Sequence, residues 1–429
     1  MLKLLRKLKE VKQEIQALLA DRIIPFWLDR AVDTQYGGYL TSFDENGRFD
    51  GNGVKYMVTQ SRMLWGFSYL APFAHPEDRP RMKAAADQGF EFFKKYFFDP
   101  VYGGVYWMLN RDGSVADPAK LVYGEGFAIY ALAQYAITYQ SEEALTLAES
   151  VFDLLQKYCA DTRFGGYFEN VERDFSLSPA GEYAGDRKSL DIHMHLLEAF
   201  TALYQASGKE IHRRKLKEVL DVITDHMVDR EHGFGFNQFR TDFTRIPAIA
   251  IKRTWNAERE TNEAIAEPAD TTSYGHNIEL TWLADLALQK LNCERSEYDA
   301  LFNRILHHSL KHGVDWQNGG VYRDGVGCGD ALVLDKEWWQ NFEAMTGLLN
   351  GWRMFGEERM LEGFLNVWTF VRDNFMNMEL GESRQMLSVS GEPLVSNLGN
   401  PWKGIYHTGR ALAVCIENFE KIEKAEAKA

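Results

Sequence analysis

The sequence predicts an all-α fold, an (α/α)6 barrel of six inner and six outer helices with short β-hairpins at its mouth. One observation behind this is a short phrase, an acidic residue followed by a glycine pair among aromatics, that occurs six times in 429 residues. Another is that each interval between phrases holds two helices of ordinary length. A repeat longer than one helix indicates a single supersecondary unit that is stacked repeatedly.

The phrases themselves predict the hairpins. Three clear copies, two looser copies and one degenerate copy lie at residues 33–39, 99–106, 161–167, 229–236, 315–322 and around 374–381. Glycine adopts the positive φ angles that tight turns require. Each phrase is therefore expected to form a short hairpin or loop.

Two kinds of helical segment alternate between the phrases. Segments rich in aromatic and small residues are 56–73, 121–138, 189–205, 273–290, 337–352 and 402–419. Segments with charge on one side are 5–27, 79–97, 142–159, 210–227, 298–311 and 357–375. A helix that is apolar all round is buried and an amphipathic helix covers it, so the first set is predicted to be inner and the second outer. Because each inner helix follows an equivalent loop, all six are expected to start at one mouth.

Composition favours one large core and limits the partners. Hydrophobic residues make up 45% of the chain and charged residues 26%. Length alone suggests two or three domains, but six interlocking repeats favour a single catalytic domain over residues 1–429. The net charge of −14, without any basic stripe, disfavours nucleic acid as a partner. We expect a monomer or homodimer.

The remaining composition signals predict a cytoplasmic protein. Residues 1–14 are charged every few positions and have no apolar signal core. No run approaches the length of a membrane span, so we expect no membrane partner. The four cysteines lack disulfide or metal-ligand spacing, which fits a reducing compartment. We expect neither a metal nor a cofactor.

Polar and aromatic residues collect in the opening turns of the predicted inner helices. They are Arg62, Tyr123, Glu125, Asp191, His193, His195, His276, Glu279, Trp338, Trp339, Glu343, Trp402 and His407. Charged side chains are costly to bury without partners, so their shared position predicts a pocket. Aromatic surfaces with convergent polar groups are typical of small-molecule sites, and flat tryptophan rings suit the apolar faces of sugars.

Three of these stretches also carry a family resemblance. Residues 274–283 (YGHNIELTWL), 338–344 (WWQNFEA) and 401–410 (PWKGIYHTGR) resemble motifs of the N-acylglucosamine 2-epimerase superfamily. They are most similar to the cellobiose 2-epimerase branch, and the likeness runs nearly end to end. The resemblance implies an (α/α)6 barrel and a reaction that inverts or isomerises C2 of a reducing sugar.

The resemblance also assigns roles to individual residues. His276 and His407 match the acid/base pair. The supporting residues are Arg62, His195 and Glu279, the sugar platforms are Trp339 and Trp402, and Tyr123, Asp191 and Glu343 complete the predicted substrate-binding set.

The proposed chemistry explains why these residue types are needed. Removing the proton beside a sugar aldehyde creates an enediolate, and an imidazole with a pKa near ~6.5 exchanges protons at neutral pH. His276 and His407 would flank one carbon from opposite sides, as epimerisation requires. Glu279 follows His276 by three residues, on the same helix face, and is predicted to orient its imidazole. We expect Arg62 to bind the enediolate oxygens and His195 to open the sugar ring.

Several neighbouring residues have ordinary explanations. His193 lies two positions before His195, so it faces another direction and is expected to be structural. Trp338 is equally suited to packing and to a sugar platform, and Glu343 equally to a buried hydrogen-bond partner and to a ligand. On the outer helices and loops, His226, His232, His307, His308 and His312 are predicted to lie on the surface.

Three departures from the cellobiose-type pattern limit the substrate prediction. Asp191 and Thr408 stand where that pattern has Asn. A long interval at residues 241–272, with Arg253, Trp255, Glu258 and Arg259, is a candidate cover for the mouth.

The sequence thus predicts a sugar 2-epimerase that acts on the reducing-end C2 of a free aldose or disaccharide, of the cellobiose or mannobiose type. The alternative is an aldose–ketose isomerase of the mannose–fructose type, or a monosaccharide 2-epimerase, of the same superfamily. A glycoside hydrolase that uses Glu125, Glu279 or Asp191 needs two carboxyl groups about 5–10 Å apart but does not need the histidines. A non-catalytic sugar-binding protein would not require His276 and His407.

Overall fold

The computed structural model describes residues 2–247, 251, 253 and 271–427, and its helices form two layers. The helices are α1 Leu2–Leu18, α2 Ile24–Arg30, α3 Met57–Tyr69, α4 Arg79–Phe92, α5 Val122–Tyr139, α6 Glu142–Leu154, α7 Leu190–Ser207, α8 Glu210–Val222, α9 Tyr274–Leu291, α10 Ser296–His312, α11 Trp338–Phe355, α12 Glu358–Phe370 and α13 Ile405–Glu426. The inner helices α3, α5, α7, α9, α11 and α13 each contact the next one, and α13 contacts α3. The inner layer is therefore a closed ring, and the predicted (α/α)6 barrel is confirmed.

The outer layer consists of α1, α4, α6, α8, α10 and α12, which pack against the inner ring. Five of these six helices continue into a π-helical segment, at Leu19–Ile23, Phe93–Phe97, Leu155–Cys159, Ile223–Met227 and Val371–Phe375. A π turn adds one residue to an α-helical turn, so it re-aims the chain before the next phrase. Short 3₁₀ turns occur at Ala71–Phe73 and Gly181–Tyr183.

Short antiparallel strands surround the mouth. They are β1 Lys55–Tyr56, β2 Met108–Leu109, β3 Val115–Asp117, β4 Lys120–Leu121, β5 Asn170–Val171, β6 Arg187–Ser189, β7 Val228–Asp229, β8 Phe234–Gly235, β9 Gln238–Arg240, β10 Thr271–Ser273, β11 Asp324–Val326, β12 Ala331–Val333, β13 Lys336–Glu337, β14 Met376–Asn377, β15 Glu382–Ser383, β16 Met386–Leu387 and β17 Pro393–Val395. The pairs β1–β2, β4–β5, β6–β9, β10–β11 and β13–β16 join one repeat to the next. A bridge between Phe43 and Gly399 joins the last repeat to the first.

Each glycine phrase is held by the side-chain oxygen of its leading residue, which is an Asp in five phrases and Asn377 in the sixth. In the first phrase the Asp33 Oδ1 accepts the backbone N–H groups of Gln35 and Tyr36 at 3.1 and 3.3 Å. Gly37 and Gly38 have φ angles of +84° and +68°, which a residue with a side chain adopts only with strain. The acidic residue therefore closes the turn that the glycines permit.

A buried lysine ties most phrases to the following inner helix. Lys188, two residues before α7, donates to Asp161 Oδ2 at 2.7 Å and to the carbonyls of Gly165 and Thr241 at 2.6 and 2.8 Å. We call this arrangement the Lys–Asp anchor, and it recurs as Lys55–Asp33, Lys120–Asp99 and Lys336–Asp315. Burying a charge pair is favourable only when its remaining hydrogen bonds are satisfied, and the carbonyl oxygens satisfy the ammonium of Lys188.

The fourth residue of each inner helix also bonds to a phrase. Gln60, Glu125, His193, Asn277 and Asn341 accept the backbone N–H groups of Tyr39, Val105, Tyr167, Gly235 and Val321 at 2.8 to 3.0 Å. In α13 the hydroxyl of Thr408 donates instead to the Glu382 carboxylate at 3.1 Å.

The close approach of these side chains explains the second glycine of each clear pair. A Cβ on Gly166 would lie 2.6 Å from the His193 Nε2, and one on Gly104 would lie 2.7 Å from the Glu125 Oε1. Any side chain there would displace the bond that fixes the helix start.

One surface prediction was wrong. His308 is buried, with its ring 5.1 Å from that of Phe234 and its Nε2 bonded to the Gly327 carbonyl. The helix α10 packs this face against β8, which the charge pattern did not indicate. Within the described residues, no helix combines the length and the hydrophobicity needed to cross a bilayer.

Candidate active site

The sixth residues of the inner helices meet near the barrel axis. They are Arg62, Phe127, His195, Glu279, Glu343 and Arg410, and all are buried. The guanidinium carbon of Arg62 lies 4.6 Å from the Phe127 ring centre, which lies 4.9 Å from that of His195. Arg410 contacts both Glu279 and Glu343. Every inner helix therefore contributes one buried side chain to the centre of the barrel.

The two predicted acid/base histidines both lie beside one tryptophan. The ring centre of Trp339 is 4.6 Å from that of His276 and 5.6 Å from that of His407. His276 is on α9 and His407 on α13, and the intervening inner helix α11 carries Trp339. The structure thus brings together the two imidazoles that the sequence placed on separate helices.

A carboxylate fixes the orientation of His407. Its Nδ1 lies 2.8 Å from the Glu343 Oε1; in the neutral tautomer that carries its proton on Nδ1, this nitrogen donates to the carboxylate and Nε2 is left to accept a proton. Burial lowers the pKa of His407 well below its ordinary value, and the charges of Arg62 and Arg410 lower it further. The ring is therefore neutral at physiological pH, as a general base must be.

Glu343 is a hydrogen-bond partner inside the protein. Its Oε1 also accepts from Arg410 Nη2 at 2.7 Å, and its Oε2 accepts from Trp282 Nε1 at 3.2 Å. Burial raises the pKa of Glu343, whereas the charge of Arg410 lowers it and favours the ionised carboxylate that accepts these bonds. Of the two explanations left open by the sequence, the buried partner is the one that these contacts favour, because both oxygens are occupied.

Arg410 is a member of the site that the sequence analysis did not identify. Its Nη1 donates to Glu198 and to the Tyr406 hydroxyl, and its Nη2 donates to Glu279 and Glu343. We call Glu198, Glu279, Glu343, His195, His407 and Arg410 the central cluster. Glu198 was missed as well, although a glutamate within an apolar inner helix is a recognisable signal.

His195 lies between two carboxylates. Its Nδ1 is 3.1 Å from Glu198 Oε2 and its Nε2 is 3.3 Å from Asp191 Oδ1. The same Asp191 oxygen lies 3.4 Å from Nε2 of His276, so one carboxylate contacts two imidazoles. Burial lowers the pKa of His195, but the bonds to Asp191 and Glu198 outweigh it and raise the pKa to about 9. His195 is therefore a cation at neutral pH.

Arg62 brings a second positive charge to the mouth. It donates to the carbonyl of Trp402 at 3.2 Å and to the hydroxyl of Tyr123 at 3.1 Å. Its buried Nε–H has no hydrogen-bond partner among the described residues. A buried donor without a partner is costly, which makes it a natural position for a ligand oxygen.

The tryptophans differ in position. Trp402 precedes α13 rather than lying in it, and its ring is tilted against that of Tyr56 with ring centres 4.7 Å apart. Trp338 lies edge-on to His407, with a ring-centre distance of 6.3 Å, and beside the ammonium of Lys403, whereas Trp339 contacts both histidines. Trp339 is thus the better placed platform.

One group of side chains has metal-ligand geometry. Ligand atoms of Glu279, Glu343 and His407 all lie within 4.8 Å of one another. Arg410 donates to both of these glutamates and supplies the positive charge that a cation would bring. The donors therefore fit the guanidinium rather than a metal ion.

Other sequence predictions fall outside the pocket or outside the described residues. His193 and Glu125 bind phrase backbone, as expected for His193. Arg253 pairs with Asp117 and Glu172 at 2.9 and 3.1 Å. Within the predicted segment 241–272, Trp255, Glu258 and Arg259 lie outside the described residues.

Comparisons with known proteins show the family to which this chain is related. The profile of the N-acylglucosamine 2-epimerase (GlcNAc 2-epimerase) family matches residues 38–411. A cellobiose 2-epimerase of Eubacterium cellulosolvens is 28% identical over 93% of this chain and 96% of its own length. The solved cellobiose 2-epimerase of Spirochaeta thermophila has a TM-score of 0.84 at 27% identity, covering 97% of this chain and 98% of that one. A D-mannose isomerase matches with a TM-score of 0.81 over 94% of this chain and 97% of that one, but at 18% identity this likeness concerns the fold alone.

Proposed function

The chain belongs to the N-acylglucosamine 2-epimerase family, and we propose that it inverts C2 at the reducing end of a free aldose or a disaccharide of the cellobiose or mannobiose type. Its relatives make it a carbohydrate epimerase or isomerase. The observation that carries the finer proposal is the placement of His276 and His407 beside Trp339. In this proposal the two bases, which lie on separate helices, reach one carbon from opposite faces.

The proposed reaction moves one proton off C2 and another onto it. With the sugar in its open form, one imidazole removes the C2 proton, and the electron pair of the broken C–H bond forms the enediolate. The other imidazole donates a proton to the opposite face of C2, and the aldehyde re-forms with inverted configuration. His407 suits the basic role because Glu343 holds its Nδ1–H at 2.8 Å.

Arg62 stabilises the intermediate in this scheme. Negative charge develops on the O1 and O2 oxygens of the enediolate, and preorganised donors are most effective in a buried site. The guanidinium of Arg62 is fixed by Trp402 and Tyr123, and its Nε–H remains available among the described residues. Trp339 supports the apolar face of the same sugar.

His195 and Asp191 serve ring opening and substrate position. A cationic His195 donates a proton to the ring oxygen O5 as the C1–O5 bond breaks, and the O1 hydroxyl releases its proton to a neighbouring base. The pKa of His195, about 9, keeps the donor protonated at neutral pH. Asp191 lies 15% exposed between His195 and His276, where it reaches both the imidazoles and an incoming hydroxyl.

The direct test is incubation with cellobiose, mannobiose, glucose, mannose and N-acetylglucosamine in deuterated water, followed by NMR. We expect deuterium at C2 of an aldose with inverted configuration, and preference for a disaccharide. A ketose product would replace the proposal with an aldose–ketose isomerase. Exchange that persists unchanged when both His276 and His407 are replaced by Ala would refute the two-base mechanism.

A further inference from the structure

The side chain at the centre of the barrel, Arg410, makes no contact that a substrate in the mouth would need. It is 1% exposed in its side chain and bonds only to protein groups, from α7, α9, α11 and its own helix. Four hydrogen bonds to three carboxylates and a phenol are more than folding of one helix requires. The role of Arg410 therefore depends on the other residues that these three carboxylates contact.

Two of the three carboxylates also contact a predicted catalytic histidine. Glu343 accepts from Arg410 Nη2 at 2.7 Å and from the His407 Nδ1 at 2.8 Å. Glu198 accepts from Arg410 Nη1 and lies 3.1 Å from the His195 Nδ1. The third carboxylate, Glu279, is three residues after His276 on α9.

We infer that Arg410 is the positioning residue of this site, a single guanidinium that holds the imidazoles of His407 and His195 through Glu343 and Glu198. The catalytic part of this inference rests on the proposed function, whereas the positioning of the imidazoles follows from the contacts themselves. Guanidinium presents its donors in a rigid planar fork, so one residue fixes carboxylates on three different helices. A Lys has a single ammonium and cannot reproduce this geometry.

The charges around the cluster decide the direction of the expected effect. Groups that face it are Arg62 from α3, Tyr123 and Tyr130 from α5, Asp191, His195 and Glu198 from α7, His276 and Glu279 from α9, Glu343 from α11, and Tyr406, His407 and Arg410 from α13. Arg410 lowers the pKa of Glu343 and of Glu198, in each case against the effect of burial. Without its charge, both carboxyl groups bind protons more readily.

A protonated Glu343 reverses its hydrogen bond to His407. The acid O–H then donates to Nδ1, the proton of the imidazole moves to Nε2, and the nitrogen that would act as base is blocked. Loss of Arg410 therefore moves the acidic limb of the pH–rate profile to higher pH. A residue that merely stabilised the fold would leave this limb in place.

The test compares Arg410→Met with Arg353→Met, which removes a similar bridge from the far end of the inner ring. Arg353 bonds to Asp285 at 2.6 Å and to Asn350 at 2.9 Å, joining α9 and α11. The rate of C2 deuterium exchange is measured between about pH 5.5 and 10, a range that covers both limbs of the pH–rate profile. We expect Arg410→Met to lose at least ~10-fold at pH 7 and to shift its acidic limb upward by about one pH unit, whereas Arg353→Met keeps the wild-type limb.

A spectroscopic measurement separates this inference from the proposed function. Nitrogen NMR of labelled histidines reports, without any substrate, which ring nitrogen of His407 carries the proton. We expect the Nδ1–H form in wild type at alkaline pH and a higher transition pH in Arg410→Met. Absence of C2 exchange in wild type would defeat the proposed function alone, and an unchanged His407 transition in a folded Arg410→Met would overturn the inference alone.

Two further variants cover the case in which Arg410→Met does not fold. Glu198→Gln severs only the branch to His195, and Glu343→Gln severs only the branch to His407. We expect each variant to change the titration of its own histidine and to leave the other within experimental error. If neither histidine responds, the positioning role is wrong.

Discussion

The Lys–Asp anchor and the central cluster are both buried and charged, but they differ in what they bind. In the anchor at Lys188, the ammonium bonds to one carboxylate and two backbone carbonyls. In the central cluster, Arg410 bonds only to side chains, and two of those hold histidines. The anchor recurs with the same residue pair from repeat to repeat, while the sixth position of the inner helices, from which most of the cluster comes, varies among Arg, Phe, His and Glu. Repetition marks residues that build the barrel, and its absence marks residues that give this barrel its chemistry.

The largest expected effect is on the reacting histidines. Single replacement of His276 or His407 by Ala is expected to reduce C2 deuterium exchange by about 10²–10⁴-fold, the usual contribution of a positioned general acid or base. Circular dichroism and the unfolding midpoint should remain close to wild type, because neither side chain binds a phrase. Near-normal exchange in either variant would contradict the assignment.

The anchor should show the opposite pattern. Lys188→Met leaves the Asp161 carboxylate and two carbonyls buried without their donor, and breaking such a pair typically costs about 3–5 kcal/mol of unfolding free energy. Urea titration measures this loss, and exchange per folded molecule should be retained. The matched control is Lys215→Met, which breaks a partly exposed pair with Glu218 and should cost at most about 1 kcal/mol.

His193 and His195 sharpen the comparison on a single helix. The Nε2 of His193 accepts the Tyr167 backbone N–H at 3.0 Å, and its Nδ1 lies 3.2 Å from the Glu169 carboxylate. His193→Ala should therefore lower the unfolding free energy by about 1–3 kcal/mol, the cost of an unsatisfied buried group, with exchange preserved. His195→Ala should instead reduce C2 exchange. Equal effects of the two variants on activity would contradict the assignment of a structural role to His193 and a catalytic role to His195.

The smallest expected effect concerns Asp191. Its carboxylate raises the pKa of His195, so Asp191→Asn should lower that pKa from about 9 toward the ordinary value. The proton that His195 donates is present below its pKa and lost above it, so the alkaline limb of the pH–rate profile should move to lower pH. We expect a change of less than about tenfold at pH 7, and an alkaline limb that stays in place would exclude His195 as the acid.

The sequence predicted what the repeats encode. Six phrases gave the number of helices, their alternation and the common mouth, because each inner helix begins after an equivalent turn. A lysine also stands two residues before five of the inner helices, at Lys55, Lys120, Lys188, Lys336 and Lys403. This recurrence was visible in the sequence but was not used to predict the Lys–Asp anchor. His276, His407, Arg62 and Trp339 were found because they lie in motifs near helix starts.

The remainder depended on contacts between distant segments. Arg410 meets Glu198, which is 212 residues away, and no local pattern links them. The π-helical segments were hidden because one inserted residue leaves the outer helices amphipathic. Glu343 was present in a motif, but only the position of the His407 Nδ1 distinguishes a partner from a sugar ligand.

The contact between α13 and α3 has a consequence for how such a chain can vary in length. Open solenoids need capping units at both ends, because their terminal repeats expose an apolar face. A closed circle has no terminal unit, so it gains or loses a whole unit only by reopening every neighbouring interface. Growth is therefore confined to the connections at the rim, and divergence among such enzymes should concentrate in those connections, around a scaffold whose count of units is fixed.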